Sequence, residues 1–190
     1  MSHLGYGRLM TLDREQILRT AAALLTRRPT ATMDEVARAA GMGRATLHRH
    51  FAGREALIRA LERLGIQEME TALDAARLDE GSADEALRRL VACVEPAAGL
   101  LSFLLTENQL FEGEVYDGWA RIDARFSALF QRGQEEGVFR IDLSHVWLTD
   151  ALYGLISSAS WSIQDGRVAR KDFQHMIVEL LLGGVHRSVK

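Results

Sequence analysis

Residues 41–51, GMGRATLHRHF, bring two arginines and two histidines into one short stretch of the chain. Side chains of these types can ligate a metal, transfer protons in catalysis or hydrogen-bond to nucleic acid. His48 and His50 are two positions apart, so on a helix they diverge by roughly 200°, whereas two histidines that share a metal lie three or four positions apart. No Cys, Asp or Glu in this stretch completes a metal site. We therefore expect neither a metal nor any other cofactor.

Nucleic-acid recognition uses more of these residues at once, because the surrounding sequence fits a helix-turn-helix. That motif needs a small residue in its first helix, a glycine where the chain reverses and an apolar residue facing inward from its second helix. Ala37, Gly41 and Leu47 occupy those positions at the required spacing. With Leu47 facing the core, Arg44 and His48 lie on the exposed face of the second helix. The sequence therefore predicts a recognition helix.

The overall composition indicates a globular, cytoplasmic protein. The 190 residues are 47% hydrophobic and 26% charged, as in ordinary globular proteins. The single cysteine, Cys93, excludes an intramolecular disulfide, and the N-terminus lacks the apolar segment of a secretion signal. The longest uncharged run, residues 151–164, is too short to span a bilayer. We expect no association with a membrane.

Basic residues are concentrated at the N-terminal end. Residues 1–64 contain 11 Arg and no Lys against 6 Asp and Glu, whereas residues 65–190 contain 12 Lys and Arg against 20 Asp and Glu. The net charge of -3 therefore conceals a positive first third of the chain. Guanidinium groups form forked hydrogen bonds with phosphate and guanine, so this distribution favours nucleic acid as a partner.

Helical periodicity extends over nearly the whole chain, and no segment shows the alternation of a strand. The first helix is expected to begin at Asp13, with Gln16 completing a capping box. The second is expected to follow Thr32, with Glu35 in the same role. The predicted fold is all-α, with about nine helices.

Capping, core and turn residues continue from the helix-turn-helix into the next helix: Thr32, Val36, Ala37, Ala40, Gly41, Met42, Gly43, Thr46, Leu47, His48, His50, Phe51, Arg54 and Leu57. In these types and spacings the chain resembles, over about residues 11–64, the TetR family of bacterial transcriptional regulators. The resemblance implies a homodimer, usually a repressor, that leaves a palindromic operator when a small molecule enters its carboxy-terminal domain.

Two domains are expected on this basis. Residues 1–53 are predicted to form a three-helix DNA-binding domain, with the helix-turn-helix at about residues 33–52. Residues 54–190 are predicted to form a larger helical domain for effector binding and dimerisation.

The exposed side chains of the motif are assigned to two kinds of DNA contact. Arg44 and His48 are predicted to reach base edges, with Ala45 beside a thymine methyl group. Phosphate contacts are predicted for Thr32, Arg38, Thr46, Arg49, His50 and Arg54. The alternative for each arginine is a solvated surface charge, and the alternative for His50 is a structural hydrogen bond against the first helix.

Gly43 and His48 stand where the TetR family usually has Ser and Tyr. Gly43 is assigned to the DNA interface, but it lacks the hydroxyl that would cap the helix and reach a phosphate. Imidazoles ordinarily titrate near neutral pH, so DNA affinity is expected to rise as the pH falls from about 8 to about 6.

Two apolar helices near the C-terminus are predicted to form a symmetric dimer interface, because the last helix is apolar on more than one side. The predicted interface residues are Leu152, Leu155, Ile156, Ala159, Phe173, Met176, Ile177, Leu180, Leu181 and Gly184. The alternative is a core helix in a monomer.

Aromatic and acidic residues between the two modules are predicted to line a pocket for an apolar or aromatic effector. They are Phe103, Glu107, Phe111, Trp119, Phe126, Trp147, Asp150, Tyr153 and Trp161. Core packing is the alternative for each aromatic, and a surface position is the alternative for each acid.

The predicted function is therefore a ligand-responsive repressor that binds a palindromic operator as a homodimer and is not an enzyme. A helical ligand-binding or scaffold protein without specific DNA recognition is the main alternative. The third interpretation is an all-α enzyme whose active-site residues are dispersed along the chain. It ranks last because no serine, cysteine or carboxylate lies near the two histidines in sequence as a catalytic partner.

Overall fold

Nearly all regular structure is helical in the computed structural model, which describes residues 4–107 and 114–185. The α-helices of those residues are α1 (Leu4–Arg27), α2 (Met33–Ala39), α3 (Arg44–His50), α4 (Arg54–Ala76), α5 (Ala83–Val94), α6 (Ala98–Thr106), α7 (Glu114–Glu135), α8 (His145–Gln164) and α9 (Phe173–Val185). Single turns of 3₁₀ helix, Glu95–Ala97 and Arg170–Asp172, precede α6 and α9. The predicted all-α class is confirmed.

The chain divides into two compact units, Met1–Leu64 and Gly65–Lys190. The division falls later than the predicted boundary after residue 53, because α4 is one continuous helix whose first turns belong to the first unit. In that unit α1 contacts α2, and α2 contacts α3. Its core contains Ile17, Leu25, Val36, Leu47, Phe51 and Leu57.

Helix α1 is longer at its N-terminus than the sequence predicts. It begins at Leu4, so Asp13 lies inside the helix and does not cap it. Extending a helix costs far less free energy than nucleating one, and no proline interrupts residues 4–13. The helix stops at Arg27, two residues before Pro29, which disfavours helical backbone in the residue that precedes it.

Helix α2 begins with the predicted capping box. The Glu35 amide donates to the Thr32 hydroxyl at 3.3 Å, and the Thr32 amide donates to the Glu35 carboxylate at 2.8 Å. Arg28 Nη2 also donates to this carboxylate, at 2.6 Å. The bond from the Thr32 amide contributes most to holding the pKa of Glu35 below its ordinary value. The loop after α1 is thereby joined to the first turn of α2.

Helix α8 is the centre of the second unit. It contacts α6, α7 and α9, while α5 packs against α7 and α9. Two ion pairs, Arg121 with Glu70 and Arg125 with Asp74, each at 2.8 Å, join α7 to the second half of α4. Helix α8 is therefore positioned by three neighbours, one of which is itself held by α4.

The stretch Ala83–Thr106 is long and apolar enough to cross a membrane, with a mean hydropathy of 1.5. It forms α5, a 3₁₀ turn and α6. More than half of its most apolar portion, 56%, is buried inside the chain, and residues such as Leu90 and Leu101 are almost fully enclosed. Its apolar character is accounted for by its place in the core of the second unit.

Thr32→Ala is expected to lower the free energy of unfolding by about 1 kcal/mol, because it removes the side chain that caps α2. Urea denaturation followed by circular dichroism measures this change. Thr20→Ala is the matched control: the Thr20 hydroxyl donates to the Gln16 carbonyl oxygen inside α1, where such a bond adds little stability. An equal loss in both variants would contradict the role of the cap.

The loss of unfolding free energy in Thr32→Ala should also depend on pH. The pKa of Glu35 is lowered on folding, so its contribution is present above its ordinary pKa and is lost as the pH falls through the folded-state value. Thr32→Ala keeps the amide bond to Glu35 and loses only the bond that the hydroxyl donates to this carboxylate. The difference in the free energy of unfolding between wild type and Thr32→Ala should therefore be only slightly smaller in acid than at neutral pH, and urea denaturation at the two pH values measures it.

Candidate nucleic-acid interface and ligand cleft

The predicted recognition helix, α3, is anchored by Leu47 and Phe51, which are 0% and 2% exposed. The turn before it contains Gly41, whose φ of +67° is a conformation that favours glycine. The Met42 amide closes this turn by donating to the Ala37 carbonyl oxygen at 2.9 Å. The predicted helix-turn-helix is therefore present, with its glycine at the chain reversal.

The outward face of α3 carries polar side chains that the sequence assigns to DNA. Arg44, Ala45, His48 and Arg49 are exposed, and Thr46 is partly exposed. Arg49 Nη2 donates to the Thr46 hydroxyl at 3.3 Å. The exposed positions recur at i, i+1, i+4 and i+5, which places them on one face of the helix.

Asp34 of α2 is the partner of Arg44 in this structure. Arg44 Nε lies 3.3 Å from an Asp34 carboxylate oxygen, and both side chains are more than half exposed. Arg38 Nε donates to the Asp34 backbone carbonyl oxygen at 3.4 Å. An exposed ion pair contributes only about 0–1 kcal/mol. Arg44 can therefore exchange Asp34 for another acceptor at small cost.

Gly43 is the N-cap residue of α3. Its backbone is extended, with φ −76° and ψ 153°, and no side chain caps the helix. A Cβ atom placed on Gly43 meets no other heavy atom within 4 Å. Neither backbone strain nor crowding requires glycine here, so a serine fits.

Thr32 and His50 are less available to DNA than the sequence predicts. The Thr32 hydroxyl donates to the Glu35 carboxylate at 3.1 Å within the capping box. The His50 ring is partly buried, and its centroid lies 6.4 Å from that of Phe51. These positions favour structural roles for both side chains.

Arg54 is bonded inside the first unit, which the sequence does not predict. Its guanidinium donates to the carbonyl oxygens of Ala31 at 3.0 Å and Pro29 at 2.7 Å. Carbonyl groups beyond the end of a helix have no helical partner and need such donors. Arg54 thus ties the first turn of α4 to the loop between α1 and α2, and its phosphate contact stays a prediction.

A cleft of about 340 Å³ opens among α6, α7 and α8 in the second unit. Its lining residues are Leu105, Tyr116, Trp119, Ala120, Asp123, Asp150 and Tyr153. Trp119, Asp150 and Tyr153 are predicted from the sequence, and the other four are not. Small-molecule sites commonly have volumes of about 300–1,000 Å³, so the cleft is large enough for a small ligand.

The cleft contains a hydrogen-bonded carboxylate and phenol. The Tyr153 hydroxyl donates to the Asp123 carboxylate, and the Tyr153 ring centroid lies 5.1 Å from that of Phe126. Burial raises the pKa of Asp123 despite this hydrogen bond, and the charge of Asp150 raises it further. Burial and both carboxylates raise the pKa of Tyr153. Tyr153 is therefore kept protonated, as a donor.

Four aromatic residues predicted for the pocket lie elsewhere. Phe103 and Phe126 are 2% and 0% exposed and belong to the core. Trp147 and Trp161 are 58% and 45% exposed on the surface of α8 and do not line the cleft. These assignments are corrected because aromatic composition does not show which face of a helix is buried.

Two further residues predicted for the pocket do not line the cleft or cannot be placed. Glu107 follows the last residue of α6 and is not part of the lining. Phe111 lies outside the described residues.

Most residues predicted for a dimer interface are buried inside the chain itself: Leu152, Ile156, Ala159, Phe173, Ile177 and Leu181. They are enclosed because α8 and α9 pack on each other, on α5 and on α6 and α7. Leu155 and Met176 are partly exposed, and Leu180 and Gly184 are exposed. The first set is therefore core, and only the second set can face a partner.

The exposed face of α8 carries residues that the predicted interface omits. Trp147, Gly154, Ser158 and Trp161 are exposed at spacings that place them on one face. A Cβ atom on Gly154 meets nothing within 4 Å. Together with Leu180 of α9, which is 65% exposed, they give the second unit an aromatic and apolar surface.

Three sequence comparisons agree on one class of protein. A family model described as "Bacterial regulatory proteins, tetR family" matches residues 17–61. The chain is 31% identical over 179 residues to the HTH-type transcriptional regulator NfxB of Pseudomonas aeruginosa, covering 93% of this chain and 96% of NfxB. It is 29% identical over 172 residues to the HTH-type transcriptional repressor LfrR of Mycolicibacterium smegmatis, covering 89% of this chain and 86% of LfrR.

Solved structures share the fold. The crystal structure of the TetR-like transcriptional regulator LfrR from Mycobacterium smegmatis in complex with proflavine has a TM-score of 0.77 and 26% identity, covering 93% of this chain and 97% of that chain. The TetR family transcriptional regulator PfmR from Thermus thermophilus has a TM-score of 0.69 and 24% identity, covering 90% of this chain and 99% of that chain. The second similarity concerns the fold alone.

Gly43→Ser is expected to raise the free energy of unfolding by a few tenths of a kcal/mol, because its hydroxyl can accept a bond from the first turn of α3. Gly43→Ala, which adds the Cβ atom without the hydroxyl, should lower it. Paired urea denaturation curves measure both changes. If Gly43→Ser were less stable than Gly43→Ala, capping of α3 by the serine hydroxyl would be contradicted.

Proposed function

Because the chain belongs to the tetR family of bacterial regulatory proteins, we propose that it is a repressor that binds a palindromic operator as a homodimer and is released by a small molecule. The family establishes a transcriptional regulator, whereas operator, dimer and effector are inferences from this chain's residues. The main observation in support of DNA binding is α3, a helix anchored by Leu47 and Phe51 with Arg44 and His48 exposed on its outer face.

The outer face of α3 has the side chains that a major groove requires. Arg44 can form two hydrogen bonds to a guanine edge, and Ala45 can contact a thymine methyl group. His48, about one helical turn further along α3, can form a hydrogen bond to another base edge. Nearby donors for phosphate are Arg38, Thr46 and Arg49. Thr32 and Arg54 hold the first turns of α2 and α4, whereas Gly43 supplies no side-chain cap to α3 and His50 lies beside Phe51.

Dimerisation is supported by the exposed surface of α8 and α9. Trp161 and Leu180 are large apolar side chains at 45% and 65% exposure, and Gly154 leaves room for a second helix. In a two-fold dimer the same surface is buried on both chains. Two copies of α3 can then meet half-sites about 34–36 Å apart on the same side of the duplex.

An effector response is supported by the position of α8, which contributes residues to the cleft and to the proposed dimer surface. Asp150 and Tyr153 of α8 line the cleft. Asp150 is itself exposed, on nearly the same face of α8 as Gly154 and Trp161. A ligand in the cleft would therefore contact the helix that is proposed to form the dimer surface. Release from DNA requires that the ligand bind the DNA-incompetent arrangement more tightly. The complex of the related LfrR with proflavine supports an aromatic effector.

Arg44→Ala is expected to reduce discrimination between the preferred operator and a scrambled duplex by about 1–3 kcal/mol, because it removes a base contact. Arg49→Ala should instead weaken binding to both duplexes and lower the slope of affinity against salt by about one. Fluorescence anisotropy with the two labelled duplexes, repeated at several salt concentrations, measures both effects.

Arg121→Ala is the control for these variants, since it removes a paired arginine from α7 of the second unit. It should leave affinity, preference and salt slope unchanged. If Arg44→Ala discriminates between the preferred and the scrambled duplex as well as wild type does, recognition of a base by Arg44 of α3 is refuted. Wild-type binding without any sequence preference would favour the alternative of a ligand-binding protein that lacks specific DNA recognition.

Leu180→Glu is expected to convert a dimer into a monomer, because it places a charge on the apolar surface of α9. Ile141→Glu is the matched control, since Ile141 is 77% exposed but lies in the connection between α7 and α8. Sedimentation velocity measures both. A wild-type monomer, or dissociation by Ile141→Glu alone, would refute this dimer surface.

A further inference from the structure

An acid, Asp34, lies beside Arg44, the residue proposed to read a base. Arg44 Nε is 3.3 Å from an Asp34 carboxylate oxygen, and the two side chains are 76% and 53% exposed. A carboxylate on a surface that meets DNA repels the phosphate groups and so lowers affinity for any duplex. An acid at this position can benefit recognition only through selectivity between DNA sequences.

Asp34 and its neighbour Glu35 have different partners, although both lie in the first turn of α2. The Glu35 carboxylate accepts from the Thr32 amide at 2.8 Å and from Arg28 Nη2 at 2.6 Å, within the loop before α2. The Asp34 carboxylate instead pairs with Arg44, the first residue of α3. One acid therefore holds the start of α2, and the other is directed to the predicted recognition helix.

The geometry of this ion pair leaves Arg44 able to bind a base at the same time. The contact to Asp34 is made by Nε, on the side of the guanidinium nearest the aliphatic chain. The guanidinium is planar and holds its N–H donors in a fixed fork. Its outer edge, formed by Nη1 and Nη2, is therefore available to the O6 and N7 atoms of guanine. A guanidinium already restrained at Nε loses less freedom when guanine binds.

The acceptors that DNA offers to Arg44 differ in charge. A guanine edge is neutral, so Arg44 can bind it while Asp34 stays in place. A phosphate is an anion, and its approach to Arg44 brings it close to the Asp34 carboxylate, where like charges repel. Asp34 therefore makes phosphate a poorer acceptor for Arg44 than guanine.

We propose that Asp34 is a specificity-determining residue, which orients the Arg44 guanidinium for guanine and opposes its use for phosphate. Arg44 is the group that touches the base, and Asp34 acts through it as a positioning residue. The inference rests on the proposed function, because it requires that α3 read an operator. Removal of the Asp34 charge should strengthen binding to unrelated DNA and weaken the preference for the operator.

The test measures the affinity of the full chain for three labelled duplexes by fluorescence anisotropy at one salt concentration. The first is the operator that wild type selects from a random pool. In the second, adenine replaces guanine in each half-site at the G·C pair where Arg44→Ala loses discrimination, and the third is scrambled.

Asp34→Asn keeps the shape of the side chain and removes its charge. It should bind the scrambled duplex about threefold more tightly than wild type, and its preference for guanine over adenine should fall about fivefold, as expected for an exposed ion pair. Preferences at the other base pairs should not change, whereas a distorted first unit would lower all of them.

Glu15→Gln is the matched control, since Glu15 is 50% exposed and pairs at 2.8 Å with Arg19, on the same helix α1. It removes an equal charge from the first unit through an ion pair that does not involve α3, so the preference for guanine should be retained. In an Arg44→Ala background, Asp34→Asn should cause no further loss of this preference. Circular dichroism melting verifies that each variant is folded.

If wild type is selective and Asp34→Asn keeps its preference for guanine, the inference is overturned and the proposed function stands. Equal losses in Asp34→Asn and Glu15→Gln would also overturn it, because net charge alone would explain them. A further loss in the double variant, or no G·C pair at which Arg44→Ala loses discrimination, would have the same consequence. Wild type without preference among the three duplexes would overturn the proposed function and this inference together.

Discussion

Helix α3 has seven residues, too few for a helix to be stable by itself in water. It keeps its shape because Leu47 and Phe51 are buried in the first unit, which is worth about 1.5–3 kcal/mol for each side chain. The guanidinium of Arg14 on α1 lies 5.2 Å from the centre of the Phe51 ring and adds a cation-π contact. Every DNA contact proposed for Arg44 and His48 depends on this anchoring, because the outer face of α3 is oriented only if its inner face is held.

Several arginines that the sequence presents as positive charges act in the structure as donors to carbonyl oxygens. Arg54 holds the loop between α1 and α2. Arg89 donates to the Ala76 carbonyl oxygen at 2.9 Å, and Arg132 donates to that of Leu78 at 2.7 Å. Both therefore supply hydrogen-bond donors to backbone carbonyl groups where α4 ends. Of these three, only Arg54 belongs to residues 1–64, and it keeps its positive charge while its donors are used inside the chain. The side chains proposed to read DNA are the exposed ones on α3.

The sequence predicts the local features of the first unit well, because each depends on residues close together in the chain. The capping box of Thr32 and Glu35, the left-handed Gly41 and the buried Leu47 are features of this kind. In the second unit, periodicity shows that α8 and α9 are apolar but not which apolar residues face a partner. Ile156 and Leu180 look equivalent in sequence, yet one is core and the other is exposed. Asp123 escapes prediction for a similar reason: its role arises only when α7 is packed beside Tyr153 of α8.

In the proposed dimer, two copies of α3, one from each chain, recognise a DNA sequence. Selection of duplexes from a random pool by the purified wild-type chain, followed by sequencing, measures this recognition. We expect enrichment of an inverted repeat whose half-sites are about one helical turn, or a whole number of turns, apart. Enrichment of a single half-site would contradict the dimer, and recovery of unselected sequence would contradict recognition by α3.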